Sequence, residues 1–397
     1  MNENEKLESD NDSQKSITND VENLKNDIWE KVFSCLTEEI LDLSKKFILI
    51  KSDPENKKEL NEILDLAEEQ LKEFTIEHFE KNGSKSILVY NTEKRAEKFK
   101  IILNGHLDVI PWKDYQYFPK IENWKLYGVW SMDMKSNVAC LIKVFKNIAK
   151  KLDYPIWLQL VTDEEIWGFD WTKYQIEQWV RSDFIIAWET TNFDIVNKAK
   201  WGCWLKITSK WITAHWAYPW KWENAIIKMN NFLEILFNKY PIPREQEWIT
   251  TVNLAKIETS NQTFNKIPDN CTSWLDIRFT PDKEKLILDE IKNIIPNDFD
   301  IEIIANESSL FVEENNYFLQ KLKIITENIN KKSSNFYWAQ WSSDARHYTR
   351  IWCDWIEFWP IWWWIGTDEE WVDIKSLETF YIILEKFLID LNEKRYY

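Results

Sequence analysis

Two adjacent carboxylates, Glu164 and Glu165, follow a short apolar run at residues 155–160. The run is rich in β-forming residues, which predicts a strand whose end delivers both acids into a cleft. One carboxylate of such a pair can ligate a metal while the other takes a proton from the attacking water as general base. Taken alone, however, an acidic run after a strand more often forms a solvated turn.

A histidine follows a second apolar run upstream. Residues 99–103 lead into a polar turn that contains His106 and, two residues later, Asp108. A His in this pattern can ligate a metal through one ring nitrogen while the Asp orients the ring through the other. The alternative on this segment alone is a loop His hydrogen-bonded to a loop Asp.

Two more acids lie at the ends of predicted elements. Asp133 precedes the amphipathic segment 136–152, where the simpler alternative is a helix-capping Asp. Glu189 ends another short apolar run at residues 183–187. Four segments therefore end on residue types that bind metals, although each has a structural explanation of its own.

Together, in this order and at these spacings, the four segments resemble the M20 family of metallo-hydrolases, which includes acetylornithine deacetylase, succinyl-diaminopimelate desuccinylase and related carboxypeptidases and dipeptidases. The resemblance extends from about residue 27 to about residue 391. It implies an amidohydrolase or peptidase that cleaves an N-acyl amino acid or a small peptide with a metal-activated water. It implies Glu164 as general base and Asp108 as the residue that orients the His ligand. The metal ligands that it implies are His106, Asp133, Glu165 and Glu189.

The composition is unusual, with 26 Trp and 6 Gly in 397 residues, whereas about 7% Gly is ordinary. Many of the Trp occupy positions where the M20 pattern has glycine, and several of these are turns that favour a residue without Cβ. We interpret most of them as UGA codons that the source organism reads as glycine; Trp204 and Trp220 are candidates for genuine Trp. The alternative is a Trp-rich protein, which would have to bury large rings in loops. The glycine-like positions are Trp130, Trp188, Trp201, Trp211, Trp216, Trp222, Trp341, Trp359, Trp362 and Trp363.

Charge and cysteine usage exclude some classes of protein. A net charge of −16 argues against nucleic acid or an anionic membrane as partner. The five Cys form no Cys-x-x-Cys pair, so neither a disulfide framework nor a zinc knuckle is predicted. Residues 1–26 are polar and lack the features of a signal peptide, and we expect a disordered tail there. We expect a cytoplasmic enzyme.

The order of predicted elements indicates an α/β fold. Two amphipathic helices, at residues 28–50 and 59–74, precede alternating strands and helices that continue to about residue 198, which predicts a mixed or parallel sheet buried by helices. Ligands of such sheets bind at the carboxyl ends of the strands. The expected domains are a tail (1–26), a zinc-peptidase-like catalytic domain in two parts (27–203 and 313–397) and an insert (204–312).

The insert has a different order of elements, β-α-β-β-α-β, which is that of a ferredoxin-like unit. The resemblance implies that this insert is a lid through which two subunits form a homodimer. Its predicted elements are a strand at 205–210, a helix at 224–240, strands at 251–257 and 272–279, a helix at 282–295 and a strand at 301–304.

Three further residues are candidates by the resemblance. His215, in a segment similar to the family's lid motif, would donate a hydrogen bond to the oxyanion in the partner's active site; a turn His is the alternative. Asn265 lies in an Asn-x-x-Pro-Asp turn and would face substrate. Arg346, in a Ser-Asp-Ala-Arg segment, offers a planar fork to a substrate carboxylate, unless it pairs with Asp344 or another nearby acid.

The sequence departs from the family at one metal position. Where the family pattern has a His four residues before a Glu, this chain has Gly366 before Glu370. We therefore expect one firmly bound Zn²⁺, with Co²⁺ or Mn²⁺ as alternatives, and a second, weaker divalent ion held by Asp133 and Glu165. The missing ligand also motivates an alternative function, a non-catalytic homologue that binds a small carboxylate. A third reading is an aminopeptidase or dipeptidase of the same fold.

Overall fold

A computed structural model describes residues 35–166, 168, 170–187, 191–340, 343–363 and 367–392. Its helices are α1 (35–49), α2 (Lys57–Leu71), α3 (Ser136–Ile148), α4 (Thr172–Glu177), α5 (Ala225–Lys239), α6 (Ile287–Lys292), α7 (Tyr317–Asn330) and α8 (Ile374–Asp390). None of these helices is both long and apolar enough to cross a membrane.

The first strands along the chain are β1 (Thr75–Lys81), β2 (Ser84–Tyr90), β3 (Phe99–His106), β4 (Lys120–Glu122), β5 (Lys125–Tyr127), β6 (Ile156–Val161), β7 (Ser182–Ala187), β8 (Ile195–Ala199) and β9 (Trp201–Lys210). They are followed by β10 (Ala214–His215), β11 (Thr251–Glu258), β12 (Lys266–Ile267), β13 (Asn270–Phe279), β14 (Phe299–Asn306), β15 (Leu310–Phe311), β16 (Phe336–Ala339), β17 (Asp354–Phe358), β18 (Trp362–Trp363) and β19 (Trp371–Asp373).

The main sheet has the strand order β1-β2-β6-β3-β7-β17-β8-β15, and β16 pairs with β8. Strand β3 runs parallel to β6 and to β7, and β7 runs parallel to β17, whereas β1, β2 and β15 pair antiparallel. The sheet is thus mixed, with parallel strands at its centre. This confirms the predicted α/β fold class.

The central strands are buried on both faces, as parallel strands covered by helices usually are. All six residues of β6 and seven of the eight in β3 are buried. Helix α3 is buried along most of its length and contacts α8, where Asn147 donates a hydrogen bond of 2.9 Å to Tyr381. Helix α3 also contacts β3 and β6, the two strands whose carboxyl ends carry candidate site residues.

A second, four-stranded antiparallel sheet has the order β11-β13-β9-β14. Helix α5 packs on β9 and β13, and the unit has a hydrophobic cluster of its own that includes Phe232, Leu275 and Ile291. The strand order matches a β-α-β-β-α-β unit. The boundaries of separate domains and the lid role stay predictions.

The second helix of this unit is shorter than the sequence predicts. A helix was expected over 282–295, whereas a 3-10 turn at Pro281–Lys283 precedes the short helix α6. Hydrogen bonds between residues three apart, from Glu284 N to Pro281 O and from Leu286 N to Lys283 O, replace the α-helical pattern there. The Glu284 side chain instead accepts hydrogen bonds from Ser309.

Two smaller sheets complete the fold. Strands β18, β19, β5 and β4 form one antiparallel sheet, and β10 pairs with β12 in a two-stranded ribbon. The ribbon aligns His215 with Lys266, so the predicted lid residue Asn265 directly precedes the strand that pairs with His215.

Candidate metal centre and active site

Two parallel strand ends bring the first candidate residues together. His106 is the last residue of β3 and aligns with Val161, the last residue of β6. A 3-10 turn, Glu164–Ile166, follows β6. Because neighbouring parallel strands end at the same edge of the sheet, ligand atoms of His106, Glu164 and Glu165 lie within 4.8 Å of one another.

Asp133 and Asp108 hold the His106 ring from two sides. Nε2 of His106 lies 3.0 Å from Oδ1 of Asp133, and Nδ1 lies 3.5 Å from Oδ1 of Asp108 and 3.2 Å from the Asp108 carbonyl oxygen. The other Asp108 oxygen accepts a hydrogen bond of 2.9 Å from the Glu165 backbone N–H. Asp108 thus links the His106 ring to the turn that carries the two glutamates.

The pKa values of this centre reflect crowded negative charge. Burial, together with the charges of Asp344, Asp133 and Asp108, raises the pKa of Glu164 to about 8, although His106 opposes the shift. Burial and the neighbouring Glu164 carboxylate raise the pKa of Glu165 well above its usual value. Both residues are half-buried, and the raised pKa values show that like charges repel one another in this centre. A bound cation would relieve that repulsion.

The same acids favour the protonated, positively charged form of the His106 imidazole. Burial alone would lower the pKa of His106, but hydrogen bonds with Asp108 and Asp133 outweigh burial and raise this pKa well above its usual value. The acids therefore favour a positive charge at the ring position. A divalent cation bound to Nε2 would satisfy the same preference.

The donor set fits a divalent metal ion. An imidazole nitrogen and carboxylate oxygens are ordinary ligands of zinc. The 3.0 Å between His106 Nε2 and Asp133 Oδ1 is close to the roughly 3.4 Å that two ligands of one tetrahedral zinc ion span. The arrangement can thus hold a divalent cation, with the Glu164 carboxylate close beside the His106 and Glu165 ligand atoms.

The predicted metal sites include two further positions. Glu189, two residues beyond the end of β7, and Gly366 lie outside the described residues. Strand β7 lies next to β3 in parallel, so its carboxyl end points to the same edge of the sheet. Glu189 therefore stays a predicted ligand.

Three buried acids that the sequence analysis did not single out as site residues surround the centre. Glu357, on β17, is fully buried, and its Oε1 accepts a hydrogen bond of 3.2 Å from the Ser343 backbone N–H. Asp163 and Asp344 are also buried, and each has one side-chain oxygen without a hydrogen-bond partner among the described residues. Burial raises the pKa of Asp163 well above its usual value, and the nearby charge of Asp108 adds a smaller effect in the same direction.

Asp344 joins the two segments that carry the candidate catalytic residues. Its Oδ2 accepts a hydrogen bond from the Thr172 hydroxyl. Gly168 has φ +59°, and a Cβ there would lie 2.7 Å from the Asp344 Cβ, so the turn after Glu165 packs directly on Asp344. The Ser-Asp-Ala-Arg motif alone does not predict this contact, because the turn around Gly168 that packs on Asp344 is distant in the sequence.

Arg346 is buried, with 1% of its surface exposed. One Nη donates a hydrogen bond of 3.0 Å to the Ser343 carbonyl, and the guanidinium carbon lies 4.0 Å from the centroid of the Trp201 ring. Burial lowers the Arg346 pKa, although the charges of nearby acids, first Asp344 and then Glu164, oppose that shift. The structure thus places Arg346 near the buried acids Asp344 and Glu164 and beneath an aromatic ring.

The candidate lid residues form a separate group on the surface. His215 and Asn265 are exposed, and the Trp216 backbone N–H donates a hydrogen bond to the Asn265 carbonyl. The Ala217 backbone N–H donates to His215 Nδ1 over 3.1 Å. No hydrogen bond or ion pair between described residues joins this ribbon to the His106 centre.

A family model for the peptidase family M20/M25/M40 matches residues 102–390. A succinyl-diaminopimelate desuccinylase of Rickettsia bellii is 26% identical over 315 residues, which are 72% of this chain and 80% of the relative. Among solved structures, a Staphylococcus aureus tripeptidase superposes with a TM-score of 0.73 at 16% identity, covering 90% of this chain and 99% of that one. The Bacillus subtilis YXEP protein, described as a dinuclear metal binding peptidase, superposes with a TM-score of 0.67 at 11% identity over 90% and 99%. These likenesses support the fold, and the match over residues 102–390 shows that the chain belongs to peptidase family M20/M25/M40.

Proposed function

We propose that this chain hydrolyses the amide bond of an N-acyl amino acid, and that N-succinyl amino acids are its first candidate substrates. Membership of the family makes the chain a metal-dependent hydrolase of amide bonds. The choice of substrate is supported by curated relatives that are succinyl-diaminopimelate desuccinylases. The observation that carries the proposal is the cluster of His106, Glu164 and Glu165 at the carboxyl ends of β3 and β6.

We assign the metal as Zn²⁺, held first by His106, Asp133 and Glu189. A second, weaker ion would share Asp133 and be held by Glu165. A bound ion would polarise the scissile carbonyl and acidify the attacking water. The imidazole-plus-carboxylate donor set supports zinc at the first position, and a carboxylate set supports a less selective second position.

Glu164 is the residue we assign as proton carrier. Its carboxylate lies beside the ligand cluster, and its raised pKa suits a group that takes a proton from water and passes it to the leaving amine near neutral pH. Asp108 keeps His106 in one orientation through Nδ1. Asp344 and Glu357 hold the adjoining segments in place through Thr172 and Ser343.

Substrate recognition is assigned to Arg346, with Asn265 and His215 acting from the ribbon. Because His215 Nδ1 accepts the Ala217 N–H, the neutral ring carries its proton on Nε2. That N–H is suited to donate a hydrogen bond to the oxyanion that forms during attack. Exposure of both ribbon residues supports a role in the active site of a second subunit of a homodimer.

The test is a substrate screen on metal-loaded protein. N-succinyl and N-acetyl amino acids would be compared with dipeptides and tripeptides, each with its carboxylate free or amidated, and metal content would be measured in parallel. We expect N-succinyl amino acids with a free carboxylate to give the highest kcat/KM. Faster cleavage of tripeptides would favour the peptidase reading, and absence of all hydrolysis with metal bound would favour the non-catalytic reading.

A further inference from the structure

A short segment after strand β14 joins the four-stranded sheet back to the main sheet. Glu307 directly follows β14, and the short strand β15 of the main sheet begins at Leu310. The Glu307 backbone N–H donates a hydrogen bond of 3.4 Å to the carbonyl of Gly202, on β9. The Glu307 side chain is buried, with 7% of the residue exposed. A buried carboxylate at such a crossing requires cationic partners.

Those partners come from the segment that carries Arg346. We call the 3-10 helix Asp344–Ile351 the Arg346 segment. Nη2 of Arg350 lies 2.8 Å from Oε2 of Glu307 and donates a hydrogen bond of 2.9 Å to the Asn306 carbonyl. Nδ1 of His347 lies 3.6 Å from the same Glu307 oxygen. The Glu307 carboxylate therefore lies against two side chains of the Arg346 segment, those of Arg350 and His347.

The charge of Glu307 also reaches Arg346. Burial would raise the pKa of Glu307, but the nearby His347, Arg350 and Arg346 side chains hold this pKa below its usual value. Glu307 is in turn one of the acids whose charge stabilises the Arg346 guanidinium. Glu307 thus contacts Arg350 and lies near His347, and it interacts with Arg346 through its charge.

We propose that Glu307 is a positioning residue: it fixes the Arg346 segment to the end of the four-stranded sheet and so sets where Arg346 meets the substrate carboxylate. The inference rests on the proposed function in its assignment of Arg346. It requires no contact between Glu307 and substrate. Loss of the carboxylate would loosen the Arg346 segment without removing a metal ligand or the general base.

The test compares Glu307→Gln with Glu302→Gln. Glu302 lies on the same strand but is exposed and paired with Lys206, which makes it a matched control. We expect Glu307→Gln to raise KM roughly fivefold for the free-carboxylate substrate, with a smaller change in kcat and no change in KM for its amide. Glu307→Asp should recover part of the loss. A merely structural defect would affect both substrates equally.

A second readout does not depend on activity. Hydrogen–deuterium exchange of peptides that cover the Arg346 segment should increase in Glu307→Gln and not in Glu302→Gln. Arg350→Gln, which removes the same ion pair from the more exposed side, should reproduce the effect if Glu307→Gln fails to fold. Faster exchange in Glu307→Gln, in a protein whose wild type hydrolyses nothing, would contradict the proposed function and support the positioning role. Equal exchange in the two variants would overturn the inference, whether or not the enzyme is active.

Discussion

The Trp201 indole lies over the Arg346 guanidinium, with 4.0 Å between the guanidinium carbon and the ring centroid. Both residues are almost fully buried. A ring stacked on one face of a guanidinium stabilises the cation, while the N–H groups in the guanidinium plane stay directed at the edge where a carboxylate binds. Trp201 is one of the positions where the family pattern has glycine, so Trp201→Gly tests what the ring contributes to the proposed substrate-binding role of Arg346.

We therefore predict that Trp201→Gly raises KM for a free-carboxylate substrate by about tenfold, because the guanidinium loses a buried cation–π contact that stabilises and orients it, worth about 1–2 kcal/mol. Steady-state kinetics on the free and amidated substrates would measure the effect. Trp274→Gly is the control, since it removes a ring 4.5 Å from the Lys256 ammonium in the four-stranded sheet and should leave KM unchanged. A KM for the free carboxylate that does not respond to Trp201→Gly would show that the stacked ring does not orient Arg346 for substrate.

Backbone conformation gives an independent reason to expect glycine at many Trp codons. Trp124, Trp130, Trp179 and Trp352 have φ between +50° and +65°, a left-handed conformation that Trp rarely adopts. Trp352 is also 95% exposed. We predict that tandem mass spectra of the protein from its native source contain Gly at these four positions, and also at 188, 216 and 341. Trp in those peptides would refute recoding.

The ends of strands were predictable from sequence, whereas contacts between distant segments were not. The runs before His106 and Glu164 were apolar and ended on polar residues, and parallel pairing of β3 with β6 then placed those ends together. The burial of Glu357 was not predictable from sequence, because a single acid within a strand usually faces solvent. This residue is buried because β17 lies between β7 and β8 in the main sheet.

The two adjacent glutamates should respond differently to loss of charge. We predict that Glu164→Gln keeps its metal and loses roughly 10²–10⁴-fold in kcat, because the base is gone while the ligands remain. Glu165→Gln should instead lower metal content. Metal analysis alongside kinetics separates the two variants. If Glu164→Gln loses metal and Glu165→Gln retains it, the two roles are reversed.

Metal-free protein should lose stability as pH rises. The folded pKa of Glu164 is about 8, above its usual value of 4.5, so the folded state binds more protons than the unfolded state between these values. The slope of unfolding free energy against pH is then negative in this window. The raised pKa of His106 adds a loss of the same sign as pH rises above 6.5.

We therefore expect the Tm of chelator-treated protein to fall from pH 5 to pH 8, and saturating Zn²⁺ to restore more Tm at pH 8 than at pH 5. At free metal of about a thousand times Kd the gain is about 4 kcal/mol. Thermal melts across this pH range, recorded with and without Zn²⁺, would measure both the pH dependence of Tm and the gain on metal binding. In Glu164→Gln the pH slope of the metal-free protein should be smaller. A metal-free wild type that becomes more stable at higher pH would contradict the charge distribution described for the centre.

The exposed position of His215 leads to a test of the homodimer. We predict that His215→Ala lowers kcat far more than it changes KM, by an amount equivalent to about 2.7–4 kcal/mol, because its Nε2–H is needed only as charge develops on the oxygen. If His215 acts across a subunit interface, mixing inactive His215→Ala and Glu164→Gln subunits should restore activity, since one of the two hybrid sites then contains both groups. Asn238→Ala, on the exposed side of α5, is a control that should not affect kcat. Activity that fails to return in subunits shown to have exchanged would mean that His215 acts within its own chain or has no part in the reaction.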